Sequence, residues 1–409
     1  MDFIEQQFTV PFRYRVYFTR EVFARSNSLL ATAIASTIPG QPSRVLFIVD
    51  DGVNRARPNV IHDIEEYCRA HATALAVASR VLVVSGGEQA KNDSSVADTI
   101  LEAIHAASLC RHSYVAAIGG GAVLDVAGYA AATVHRGVRL IRLPTTVLAQ
   151  DDSGVGVKNG INRYGQKNYL GTFAPPFAVI NDFSFLTTLS DRDWRGGVAE
   201  AVKASLIKDA GFFDFIEAHA AALSNRDMHT METVIRRCAE LHLRHIASGG
   251  DPFEMGSSRP LDFGHWAAHK LEGMTGHRLR HGQAVSIGIA LDTTYSHLAG
   301  WLSEPDWRRV IALLQDLQLP VFTPELGHHL DDDAQAACVL RGLDEFREHL
   351  GGQLTVMLLK GIGVPFDTHE IDRDLVVRSI HALKTLQDQR PLREESHEHQ
   401  IALERKRAR

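Results

Sequence analysis

The change of rhythm near residue 190 constrains the fold of this chain more than any other feature. Before it, short apolar runs alternate with helical stretches. Arg44–Asp50 (RVLFIVD), Arg80–Val84, Tyr114–Ile118, Arg139–Leu143 and Phe177–Ile180 read as strands. Runs of this kind do not alternate with polar residues, so they suit strands covered on both faces. Asn59–His71 and Ser94–Ala107 read as helices between them, which implies a parallel sheet with helical crossovers. Phe8–Phe18 reads as a further strand with a partner hairpin, and Glu21–Ile38 as a helix. After residue 190 the strand runs nearly stop. Trp194–Ile207, Phe212–Leu223, Met228–Ala247, a histidine-bearing helix, Ala284–Leu298 and Pro305–Leu317 read as helices, with one late strand at Leu354–Leu359. The expected organisation is an α/β domain over residues 1–190, a helical domain over 191–383 and a charged, disordered tail over 384–409.

Composition excludes several function classes. A formal charge of −6 argues against a general nucleic-acid surface. No run approaches the length of a membrane-spanning helix, and the N-terminus has no apolar leader. Four cysteines lie far apart without a CxxC pair, which suits buried thiols in a reducing compartment. A cytoplasmic protein without nucleic-acid or membrane partners is expected.

Four stretches carry chemistry. Pro260–Gly282 (PLDFGHWAAHKLEGMTGHRLRHG) holds four histidines within 17 residues, His265, His269, His277 and His281. His265 and His269 share one face of a helix. A chain that folded His281 back would bring two imidazoles together, and a carboxylate from elsewhere would complete a three-ligand metal site. The alternative is a set of surface and helix-end histidines in a chain that has 21. HWAAH lacks the glutamate of HExxH, which argues against a protease. Tyr114–Ile118 runs into Gly119, Gly120 and Gly121 and then a helix. Such glycines let backbone approach a phosphate at a helix N-terminus, or simply supply a tight turn with positive φ. Residues 143–171 form a long polar, Gly-rich stretch without helical period, read as a loop. Its Asp152, Lys158, Lys167 and Asn168 suit an anionic, polyhydroxylated ligand, the alternative being a solvated flap. Finally, Glu200 and Lys203 lie three apart on a small, apolar helix, either as an intrahelical pair or as functional groups.

Together these motifs resemble the sugar phosphate cyclase superfamily, to which 3-dehydroquinate synthase belongs. The likeness spans about residues 40–365 through GGEQAKN (86–92), GGGAVLD (119–125), HRGVRLIRLPTTVLAQDDSGVGVKNGIN (135–162), QKNYLG (166–171), GGVAEAVKASLI (196–207), LDFGHWAAH (261–269) and RHGQAVSIG (280–288). The resemblance implies a Rossmann-like α/β N-terminal domain that binds NAD, and an all-helical C-terminal domain that binds metal and substrate. It assigns NAD to Asp50, Glu88, Lys91, Gly119, Gly120, Gly121, Asp125, Thr145, Thr146, Lys158, Lys167 and Thr188. It assigns a divalent metal, zinc or cobalt, to Glu200, His265 and His281, which makes His269 a phosphate-side group. Asp152, Lys158, Asn168, Lys203, Asp262 and His269 then line the sugar phosphate. Arg136 reaches the phosphate in a neighbouring subunit's site, which implies a homodimer. The implied reaction is oxidation of one hydroxyl of a heptulose phosphate by NAD, β-elimination of phosphate, return of the hydride and an intramolecular aldol closure.

The chain departs from the dehydroquinate synthase pattern in its substrate pocket. Asp262 replaces an asparagine. A lysine falls on His242, or on Arg244 if the match is counted without a gap. An arginine falls on Ser258, one place from Arg259, and two late lysines become Arg347 and Glu348. These changes remove cations that would hold a substrate carboxylate. The pattern therefore favours a ketose phosphate without one, such as sedoheptulose 7-phosphate in the valiolone-type synthases, over 3-dehydroquinate synthase itself. The rival classes are a metal-dependent polyol or glycerol-type dehydrogenase and a non-catalytic scaffold.

Overall fold

The structure, a computed structural model, describes all residues except 35–39, 165, 250, 254–260, 333–334, 350 and 390–409, and leaves out the side chain of residue 349. The chain divides into two compact units, Met1–Ala201 with Arg226–Phe253, and Val202–Asn225 with Glu254 onward. The helix Met228–Ser248, read above as part of the helical half, therefore belongs with the α/β unit. The helix Asp191–Lys208 carries the chain out of the first unit, the division falling after Ala201.

The first unit is built on a seven-stranded parallel sheet. Its strands are β1 (Arg15–Thr19), β2 (Ser43–Asp50), β3 (Leu75–Val77), β4 (Leu82–Val84), β5 (Tyr114–Gly119) and β6 (Arg139–Pro144), together with a later one, Ala178–Asp182. Between β6 and that strand, β7 (Lys158–Arg163) and β8 (Gln166–Phe173) form a separate antiparallel hairpin, so Ala178–Asp182 is β9. The sheet order is β1-β9-β6-β5-β2-β3, with β4 pairing the second half of β2. From β2 the chain first goes to one side, to β3 and β4, and then to the other, to β5. Such a reversal opens a crevice beyond the strand carboxyl ends. Asp50 and Gly119 end the two strands that flank it.

The β2 run is apolar throughout because both faces are covered. Leu46 and Ile48 pack with helices Ser94–Ala106 and Gly121–Thr133, whereas Val45, Phe47 and Val49 pack with helix Val60–Ala70. Full burial of such side chains contributes roughly 1.5–3 kcal/mol each.

Several local expectations change. β1 pairs β9 in parallel rather than forming a hairpin, because Asp182 accepts from the Glu21 and Val22 amides (3.1 and 2.8 Å) and turns the chain there. That turn, with Glu21 at φ 51°, replaces most of the expected Glu21–Ile38 helix. Only Leu29–Ala33 is helical, and residues 35–39 lie outside the described part. The 143–171 stretch is not a loop: it contains a π-helical turn at Ala149–Ser153 and then the β7–β8 hairpin. β3 was not foreseen. Cys110 is exposed, and the other three cysteines are buried free thiols.

In the second unit, helices His265–Met274 and His281–Leu298 pack against each other, and β10 (Val356–Gly361) pairs with an unforeseen β11 (Val364–Thr368). The expected Phe212–Leu223 helix is two, Ala210–Ala218 and Ala220–Ser224. Lys384–Asp388, expected in the tail, continue the helix Arg373–Asp388. The rest of the expected tail from residue 390 lies outside the described residues. Among the described residues, no helix is long and apolar enough to cross a membrane.

Candidate active site

In the first unit the site residues gather beyond β2, β5 and β6. Asp50 caps the helix Asp51–Ala56, accepting from Gly52 N at 2.7 Å. Burial raises its carboxyl above the usual range, and the amides of Gly52, Val53 and Gly120 oppose that rise. A Cβ on Gly86 would stand 2.3 Å from Asp50 Oδ1, one on Gly119 3.0 Å from Asp50 Cβ, and one on Gly121 2.6 Å from Ser153 Oγ. None of Gly119, Gly120 and Gly121 has positive φ. Gly119 and Gly121 are therefore favoured by close approach, not by turn geometry, whereas a Cβ on Gly120 would make only ordinary contact with Thr146 at 3.5 Å. Gly120 caps helix Gly121–Thr133 without a side chain, leaving its N–H groups accessible to an anion.

Lys91 is buried and donates to Asp125 Oδ2 at 2.8 Å and to Asn168 Oδ1. Asn168 sits in the left-handed region (φ 55°), and its N–H donates to Asn162 Oδ1 at 2.8 Å. Asn162 Nδ2 in turn donates to Glu88 Oε1 at 2.7 Å. Five polar side chains from four elements are thus linked. Asn162 was not foreseen, since only the hairpin brings it to Glu88. Thr145 is buried, and Thr146 Oγ1 accepts from Ala149 N at 3.1 Å, shaping the turn before Asp152. Lys158 is exposed and Lys167 half-buried on the hairpin, while Thr188 donates locally to Phe185 O. Arg136 is exposed on a turn in which His135 and Arg136 both have positive φ (51° and 60°). Two consecutive non-glycine residues there are strained, a condition common at functional positions.

Asp152 Oδ1 lies 2.8 Å from His242 Nδ1. A carboxylate only accepts, so the imidazole donates from Nδ1 and keeps its lone pair on Nε2 unless protonated. Arg244, the other residue matched to the lysine, pairs with Glu240 on the exposed side of the same helix at 2.6 Å. Glu200 is fully buried on helix Asp191–Lys208. Three residues before it, a Cβ on Gly197 would stand 2.6 Å from Leu148 N, so this stretch rests directly on the turn after β6.

In the second unit three imidazoles converge. Ring centroids lie 5.3 Å apart for His265–His269, 5.5 Å for His265–His281 and 6.0 Å for His269–His281. Two glycines permit this. A Cβ on Gly264 would stand 2.6 Å from Ile289 N, and one on Gly288 2.0 Å from Gly264 O, so the two helices meet backbone to backbone. Gly276 and His277, both left-handed (φ 54° and 62°), reverse the chain and return His281. His265 Nδ1 donates to Phe263 O (3.1 Å), and His281 Nδ1 donates to Glu272 Oε2 (3.2 Å). Such partners fix the tautomer and present Nε2, as in metal sites. Ligand atoms of His269, Glu272 and His281 also lie within 4.8 Å of one another, a second candidate set that sequence reading had not separated. Asp262 is half-buried, and its carbonyl accepts the His265 amide at 2.9 Å. Lys203 is buried. Ser258 and Arg259 lie outside the described residues, and Arg347 pairs with Asp344 at 3.2 Å.

Models for the N-terminal and C-terminal parts of 3-dehydroquinate synthase match residues 81–196 and 197–338. The chain belongs to this family of sugar phosphate cyclases. It is 33% identical over 372 residues to a 3-dehydroquinate synthase of Psychrobacter cryohalolentis, covering 90% of this chain and 95% of the relative. It is 35% identical over 315 residues to a 2-epi-5-epi-valiolone synthase of Streptomyces glaucescens, covering 76% and 77%. The solved 2-epi-5-epi-valiolone synthase from Streptomyces hygroscopicus subsp. jinggangensis 5008, with NAD+ and Zn2+ bound, superposes with a TM-score of 0.82 at 28% identity. That match covers 93% of this chain and 99% of the other.

Asp292 anchors the start of the His265 helix, accepting from Gly264 N (3.0 Å) and Trp266 Nε1 (2.9 Å). Burial pushes its carboxyl from 3.8 up to about 7. A carboxyl raised on folding adds stability that is fully present below its unfolded value and is lost as pH rises through about 7. Asp292→Asn should therefore lower the melting temperature more at pH 5 than at pH 8, read by thermal melts of both proteins. An equal difference at the two pH values would refute this account.

Proposed function

We propose that the protein is an NAD- and metal-dependent cyclase, a carbon–oxygen lyase that eliminates phosphate from a heptulose phosphate and closes a carbocycle. The favoured substrate is sedoheptulose 7-phosphate and the product valiolone-type. The observation that carries this choice is the His242–Asp152 hydrogen bond. A lysine in place of His242 would bring a fixed cation for a substrate carboxylate. An imidazole engaged with Asp152 through Nδ1 is no such fixed cation. A carboxylate held there without a matched cation is disfavoured, whereas hydroxyls can donate to Asp152 and to His242 Nε2. Arg244 and Arg347 are engaged by Glu240 and Asp344. The second reading is 3-dehydroquinate synthase, favoured by the names of most relatives, among them the Psychrobacter enzyme.

The residues present fit both cofactors. Gly86 and Gly119 let backbone lie directly against the Asp50 side chain, and the glycine-capped helix suits a pyrophosphate. Asp50, Glu88, Lys91, Asp125, Thr145, Thr146, Lys167 and Thr188 hold the rest of NAD. Two imidazoles with Nδ1 already committed suit zinc or cobalt, and the buried Glu200 carboxylate is assigned as the third ligand. When bound, NAD supplies a reversible hydride acceptor and the metal ion a Lewis acid. The chain does the positioning: Lys158, Asn168 and His269 hold the phosphate, and Asp152 with His242 orients hydroxyls. Lys203 and Asp262 complete the lining. Held in this way, the departing phosphate can use its own oxygen to take the proton from the neighbouring carbon.

The first test offers sedoheptulose 7-phosphate and the carboxylated dehydroquinate precursor separately, with NAD+ and zinc or cobalt, and measures phosphate. Release from sedoheptulose 7-phosphate alone is expected, without net NADH. Release from the precursor alone would establish the second reading, and net NADH from a polyol the dehydrogenase. For the metal, Glu200→Ala should lose at least tenfold in zinc affinity by chelator competition while NAD+ binding persists. Unchanged affinity would point instead to His269, Glu272 and His281. Arg136 is assigned to the partner's phosphate in a homodimer. Arg136→Ala should depress turnover and recover part of it in mixed dimers with Glu200→Ala. A protein that sediments as a monomer would end that assignment.

A further inference from the structure

We infer that Arg142 is a positioning residue for the substrate site, holding the Asp152–Asn159 segment in the shape that aims Asp152 and Lys158. The inference rests on the reading above in taking those two side chains as substrate groups. Arg142 lies on β6 and is fully buried. Its Nη1 donates to the carbonyls of Gly156 (2.9 Å), Gly154 (3.2 Å) and Ser153 (3.5 Å), and its Nη2 to Lys158 O (2.7 Å) and Asn159 Oδ1 (2.6 Å). The Tyr14 hydroxyl donates to the carbonyl between them, Val155 O, at 2.8 Å. Two side chains therefore gather the carbonyls of five of the six residues from Ser153 to Lys158.

That arrangement is more than packing. None of the five acceptors is a carboxylate, and the buried Nε has no hydrogen-bond partner among the described residues. Burial works against the guanidinium charge, with Asp125 among the groups opposing that effect. A guanidinium stays charged in proteins, so placing it here is unfavourable unless a specific geometry requires it. The segment it gathers contains Gly154 and Gly156 and, before β7, is paired across the hairpin through Val157 O, which accepts from Ala174 N at 2.9 Å. The clamp acts with the short turn at Ala149–Ser153, the Tyr14 contact and the Val157–Ala174 bond in defining its path. Asp152 opens the segment and Lys158 closes it, so a shift of the carbonyls displaces both. A planar fork with donors on both Nη atoms matches this set of acceptors, whereas an ammonium offers three donors from one point.

The experiment compares Arg142→Gln and Arg142→Lys with the wild type, as full-length protein below the melting temperature of each. Hydrogen exchange is read at the Gly154 and Val155 amides, which bond within the segment to Ala149 O and Asp152 O. Phosphate release from sedoheptulose 7-phosphate with NAD+ and zinc is measured alongside. In Arg142→Gln, exchange at the two amides should quicken at least tenfold while β5 amides stay protected. Its kcat/KM should fall about 100-fold, mostly in kcat, as expected when reacting groups are displaced by about 1 Å. Arg142→Lys should recover about tenfold of that loss. Unchanged exchange, or kcat/KM within threefold of wild type, would overturn the inference. If the wild type releases no phosphate, the functional reading fails, and the exchange result still decides the role of Arg142.

Discussion

Close backbone contact at glycines is the constraint on which the candidate residues of each unit depend. Around Asp50, Gly86 and Gly119 approach so nearly that a methyl group on either would collide with it. In the second unit, Gly264 and Gly288 let one helix begin against the backbone of another, which is what brings His265 to His281. At most of these positions φ is ordinary, so the requirement is for missing volume. Interiors this dense do not absorb an added methyl without displacing their neighbours. Each functional carboxylate or imidazole is thereby aimed by contacts that sequence shows only as a glycine.

Buried charge is handled in two opposite ways. Arg142 cannot give up its proton and is surrounded by carbonyls, with Tyr14 continuing the row. Asp292 accepts from only two donors and moves towards its neutral form instead. The difference follows from intrinsic proton affinity: a guanidinium must be solvated by the protein, whereas a carboxyl can shed its charge. One device shapes the Ser153–Lys158 segment, the other the start of the helix that carries His265.

The strand–glycine–helix junction at Gly119 and the spacing of the histidines were legible because each is local. The carboxyl-end position of Asp50 was legible for the same reason. The long polar stretch over residues 143–171 reads as a loop because its hairpin is held by cross-strand pairing, and its one Asn-Gly turn dipeptide, Asn159-Gly160, lies inside β7 rather than between strands. The partners of Asn162, Arg142 and Asp292 were not legible. Asn162 meets Glu88 across 74 positions, and Asp292 meets Trp266 across 26, and nothing in composition marks such pairs. The placement of helix Met228–Ser248 with the α/β unit escaped for a related reason. A helix next to other helices in sequence is read with them, although its contacts lie elsewhere.

That helix also bears on the question of substrate charge. His242 and Arg244 are two residues apart, and on a helix such neighbours point in directions about 200° apart, so only one can face Asp152. Counting along the chain could not choose between them, but the hydrogen bond at 2.8 Å does. Arg244 turns instead to Glu240, one helical turn earlier, on the exposed face. The group beside Asp152 is thus an imidazole with one nitrogen already donating. Its second nitrogen can accept from a hydroxyl or, if protonated, donate to an anion. If the pair faces a ligand as proposed above, hydroxyls can donate to it, whereas an acid would bring a further negative charge beside Asp152.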